Sequence, residues 1–93
     1  MNISELDAFK AAVEEAHKRR LISQMAQALV FSLQIQNGHG LVPLLGYPEA
    51  YNNAEAIAYW VAENINPGMF ENPKEAVRTL RVELEKTLSR WTE

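Results

Sequence analysis

The chain has 93 residues, of which 47% are hydrophobic and 23% charged, enough apolar material for one helical or mixed domain and too little length for two. Nine Lys and Arg against twelve Asp and Glu leave a net charge of -3, which gives a polyanion no reason to bind. With no Cys there are no disulfides, thiolate metal sites or cysteine nucleophiles, and the acidic Glu5 and Asp7 stand where an export signal needs bases. A cytoplasmic location, with no membrane span, is the expectation.

Charge is unevenly spread. From Leu21 to Pro73 the sequence contains no Lys or Arg, only Glu49, Glu55, Glu63 and Glu71, while both ends are close to neutral. Any polar recognition by the middle of the chain therefore rests on acids and amides.

In chain order, Ser4 followed by Asp7 resembles a capping box, and Leu6, Phe9, Val13 and Ala16 then recur at helical spacing. A second run, Leu21 to Gln36, repeats Ile22, Ala26, Leu29 and Leu33 along one seam before Asn37-Gly38 supplies a stop. At about 100° per residue the first seam centres near 200° and the second near 50°, so one stripe cannot serve both halves. Either the chain bends around Lys18 to Leu21, which is the expectation preferred here, or one long helix meets different partners at its two ends.

Asn37 to Tyr47 reads as a connection, relaxed by Gly38, Gly40 and Gly46 and interrupted by Pro43, with room for a short helical turn. Its Leu41, Val42, Leu44 and Leu45 predict that it lies down on the core. Asn52 or Asn53 then caps a third helix carrying Ala54, Ile57, Trp60, Val61 and Ile65 on one face, ended by Asn66-Pro67-Gly68. Asn72 as cap, Pro73 at the first helical position and Glu75 open a fourth, with Val77, Leu80, Leu84, Leu88 and Trp91 as its stripe. No alternating run long enough for a sheet occurs. The fold class is all-α, a bundle of three to five helices in a single helical domain over 1–93, with a long or bent N-terminal helix.

Catalysis is poorly supplied. His17 and His39 are the two histidines, one Asp exists, and no nucleophile stands beside a base, so neither a triad nor a metal cage is specified and no cofactor is expected. Gly38-His39-Gly40 lacks the strand and third glycine of a dinucleotide loop. The chain is read as a non-enzyme.

Binding is better supplied. The second helical run is apolar around about 260° of its circumference, more than a bundle this small encloses, and its Gln27, Phe31 and Gln34 suit an interface because amides desolvate more cheaply than charges. Tyr47, Tyr51 and Tyr59 form an aromatic group near it, able to anchor an interface or else simply part of the protein's own core and its rim, and Tyr59 is turned from the third helix's apolar face. His17, Lys18, Arg19 and Arg20 form the one basic cluster, first of all a solvated helix end complementing the macrodipole, and otherwise a contact for phosphate or an acidic partner.

These features predict a small acidic protein-interaction module, a regulator, inhibitor or adaptor of bacterial or phage style that binds a partner protein and forms a homodimer. Two alternatives remain. One is a nucleic-acid or nucleotide binder using His17 to Arg20, disfavoured because the helix after the glycine turn bears Glu55 and Glu63 and no base. The other is an accessory subunit of an enzyme.

Overall fold

Ser4 stands inside a helix that begins at Ile3 and runs without interruption through the expected bend. The computed structural model describes residues 3–92, with side chains described for 4–90, so the Trp91 side chain of the expected stripe lies outside the described residues. The elements are α1 (Ile3–Ser32), α2 (Leu41–Leu45), α3 (Asn53–Asn64), one 3-10 turn (Pro67–Phe70) and α4 (Pro73–Thr92). There is no strand among the described residues, and the fold is all-α as the sequence pattern predicts.

The bend is the expectation that fails. Nothing in Lys18 to Leu21 obliges a break, since Lys, Arg and Leu are good helix formers and no Gly or Pro interrupts the run. The change of apolar phase is instead accommodated by giving the two halves different surroundings. Residues 21–33 lie in a head built with α3 and α4, whereas every residue from 4 to 20 is exposed and forms an arm. The Cα radius of gyration, 15.4 Å, exceeds the ~12 Å of a compact chain of this length, and the longest extent is 57 Å.

The head is organised around Met25, Ala26 and Leu29 of α1, Ala56, Ile57, Trp60 and Val61 of α3, and Ala76, Leu80 and Leu84 of α4. Each set recurs at three- and four-residue steps, which is why three amphipathic helices suffice to close one core. Tyr47 and Ala50 complete it from the connection, and Leu41, Val42 and Leu45 pack over its edge. Thus α2, despite its central Pro43, forms the turn that lets an apolar loop lie down.

α1 ends at Ser32, four residues before the expected stop. The N–H of Ile35 donates to the Val30 carbonyl at 3.0 Å and that of Gln34 to the Phe31 carbonyl at 3.2 Å. These are the two bonds of a Schellman motif, and its left-handed position is filled by Gln34 at φ 53° instead of by a glycine. Of the two candidate caps of α3, Asn52 takes the role, its side chain accepting from the Glu55 N–H at 3.0 Å. Asn72 caps α4 in the same way toward Glu75 at 3.4 Å, as expected, and Asn66 caps the 3-10 turn.

Candidate interaction surface

Asn53, an alternative cap in the sequence, instead holds the connection in place. It is buried, its Oδ1 accepts from the Leu41 N–H at 2.8 Å, and its Nδ2 donates to the Gln36 carbonyl at 3.1 Å. Its own N–H donates to the Gly38 carbonyl at 2.7 Å. Sequence reasoning missed this role because a surface cap and a buried loop anchor call for the same side chain. The anchor draws 36–41 against the start of α3 and so fixes how α3 approaches the end of α1.

Between those two helices lies an open groove of about 390 Å³. Ala26, Val30, Ala54 and Ala58 give it apolar walls, Gln27 and Phe31 lie along one side, and Ser23 and Glu55 supply polar edges. Phe31 is 87% exposed, an extreme value for a phenylalanine. Gln27 and Phe31, expected at an interface, therefore share one site. Gln34 does not join them, since it serves the end of α1.

The tyrosine group divides. Tyr47 is buried, and its placement in the core takes it out of the expected contact surface: its hydroxyl donates to Glu63 Oε2 at 2.7 Å and its ring stacks on Tyr59, centroids 5.7 Å apart. Burial first, then the Glu63 hydrogen bond and the charges of Glu63 and Glu49, push its phenol above the ordinary tyrosine range. Tyr59 is partly exposed as the outer member of that stack. Tyr51 is 77% exposed and meets His39 edge-on, centroids 6.5 Å apart.

The basic cluster also differs from its expectation. It occupies the middle of a continuous α1, so it complements no helix terminus. Lys18 Nζ sits 5.8 Å from the centroid of the Phe70 ring, and Arg19 Nε lies 3.9 Å from Glu15 Oε1. Lys18 thus points to the head side of α1 while Arg19 and Arg20 remain in solvent.

The arm supplies what sequence reasoning placed in a bundle. Leu6, Phe9 and Val13 are 42%, 60% and 53% exposed, in helical register and without cover. The signal was present in the angular mismatch between the two seams, because a stripe opposite the core-facing one on an unbroken helix must look outward. By the same geometry, 100° steps bring Ser23 and Gln27 to within about 60° of the arm stripe. One outward face therefore runs the length of α1, apolar on the arm and grooved at the head.

The described residues include no group of three or more His, Cys, Asp or Glu placed to hold a metal. No described helix is long and apolar enough to cross a membrane. No family model, curated protein or solved structure matches this chain. The surface must be interpreted from its own chemistry, which is that of apolar contact edged by amides and a few charges.

Proposed function

We propose that this chain is a small protein-interaction module, a regulator or adaptor acting by binding and not by turnover, whose working surface is the outward face of α1. The observation that supports this reading is the exposure of Leu6, Phe9 and Val13 in register on an arm that the head leaves bare. Full burial of such side chains is worth ~1.5–3 kcal/mol each, so an uncovered stripe holds several kcal/mol that association alone recovers. Monomers rarely present contiguous apolar patches of this kind.

The arm is helical on its own account. Ala8, Ala11, Ala12 and Ala16, with Leu6, Lys10, Glu14 and Glu15 among them, are strong helix formers, and growth from the packed half of α1 removes the nucleation cost. A binding helix that is already ordered loses less entropy on docking than a disordered one.

The test is joint replacement of Leu6, Phe9 and Val13 by Ser. Association should fall while the hydrogen-exchange protection of α3 and α4 stays unchanged. Loss of protection in the head at concentrations where the chain is monomeric would assign the stripe to the core and overturn the reading. The nucleic-acid alternative calls on a cluster in which Lys18 and Arg19 already have intramolecular contacts. Retention of DNA or RNA that falls with salt and disappears on replacing Lys18 to Arg20 by Ala would favour it instead.

A further inference from the structure

Resting on that reading, we infer that the occupant of the outward face of α1 is a second copy of the same helix, laid antiparallel about a two-fold axis near Lys18. The face carries its own complement: an apolar ridge lies on the N-terminal side of residue 18 and an apolar groove on the C-terminal side. A two-fold axis superposes each ridge on the other copy's groove, as an isologous contact requires.

The register follows from the spacing. Steps of three and four residues run along this face, and reversing the helix about residue 18 brings Leu6 opposite Val30, Phe9 opposite Gln27, Val13 opposite Ser23 and Ala16 opposite Arg20. Phe9 and Val13 of the arm thus meet the flexible Gln27 and short Ser23 of the head, Leu6 meets the apolar Val30, and Ala16 leaves room for Arg20. The exposed Phe31 borders the position where the other copy's Leu6 arrives. Ala8 and Ala12, on the flank of the arm turned to α3, match the small Ala26, Ala54 and Ala58 of the groove and permit close helix approach.

Charge agrees with this arrangement on the same flank. Glu15 of one copy falls within about 3 Å of axial alignment with Arg19 of the other, taking 1.5 Å per residue. Each Arg19 is held by its own Glu15 at 3.9 Å at the edge of the contact, and Arg20, two residues from the axis, is set beside the small Ala16, which leaves its guanidinium room to reach solvent. Lys18 is drawn to the opposite side by Phe70 and stays out of the contact. An overlap from residue 6 to residue 30 is ~36 Å long, and half the circumference of a helix ~11 Å across gives on the order of 600 Å² per copy before α3 adds its share. Stable interfaces need ~800 Å² per partner, the same scale.

Light scattering and thiol cross-linking test the pairing. The expected mass is twice 10.5 kDa, falling to the monomer value in Phe31→Glu, a variant whose head should melt as before because that side chain is exposed. The chain has no Cys, so a short bis-maleimide should join copies of the double variant Phe9→Cys/Gln27→Cys and neither single variant. Within one helix those positions are ~27 Å apart, beyond the reagent's reach. Efficient joining of Phe9→Cys alone indicates a parallel pair and overturns the inference. A monomer at every concentration, with Phe9→Cys freely labelled, also overturns it and leaves the face to a different protein. The broader reading fails instead on loss of head protection in the triple Ser variant or on salt-sensitive retention of nucleic acid, so the two fail separately.

Discussion

Tyr47 and Glu63 share a 2.7 Å hydrogen bond in which the phenol donates and the carboxylate accepts, tying the connection after α2 to the last turn of α3. Burial of the ring and the neighbouring acids hold the phenol protonated above its ordinary range. A raised folded-state value means that the folded chain keeps a proton the unfolded chain has released. The contribution is therefore fully present below the unfolded value near 10 and declines as pH rises beyond it. Thermal melts should lose stability above about pH 10, and Tyr47→Phe should flatten that limb while costing ~1 kcal/mol at neutral pH for the lost bond. An alkaline limb identical in the two proteins would count against the assignment.

Asn53 supplies both an acceptor to Leu41 and a donor to Gln36. Asn53→Ala should cost ~1–3 kcal/mol in urea unfolding, because two backbone groups lose their partner in a half-buried setting. Asn53→Asp keeps the acceptor and sets a carboxylate oxygen against the Gln36 carbonyl, so it should recover no more than part of the loss. Hydrogen exchange at the Leu41 amide should speed up in both variants.

Two left-handed residues make opposite predictions. Gln34, at φ 53°, bears the steric cost of a Cβ at the end of α1, and Gln34→Gly should raise stability by ~0.5–1 kcal/mol. Gly46, at φ 83°, closes α2, and Gly46→Ala should lower it by roughly 1–2 kcal/mol although nothing crowds the position within 4 Å. Melting temperatures moving in the same direction would show that backbone strain does not govern these sites.

Much of the head was legible. The seam of Ile22, Ala26, Leu29 and Leu33, the caps Asn52 and Asn72, and the face of Ile57, Trp60 and Val61 are local patterns, and each occurs as read. The end of α1 was not, because a Schellman motif is recognised from sequence by its glycine and here Gln34 takes that place. Gln27 and Phe31 were legible as interface candidates because they sit on a helix with too few polar positions. The other wall of their groove was not: Ala54, expected with Ile57 and Trp60 on the apolar face of the third helix, is instead exposed along the groove, and Ala58 carried no sign of which neighbour it would face.

The sequence by itself determined which stretches are helical, where most of them start, and that the two halves of the first helix have apolar stripes on opposite sides, because helical periodicity is a property of neighbours three and four residues apart. Only the tertiary structure decided between a bend and a straight rod, and with it whether Leu6, Phe9 and Val13 are core or surface. That outcome depends on how much apolar area α3 and α4 can cover. They close over Met25, Ala26 and Leu29, α2 packs at the edge of the same core, and no described helix covers the arm.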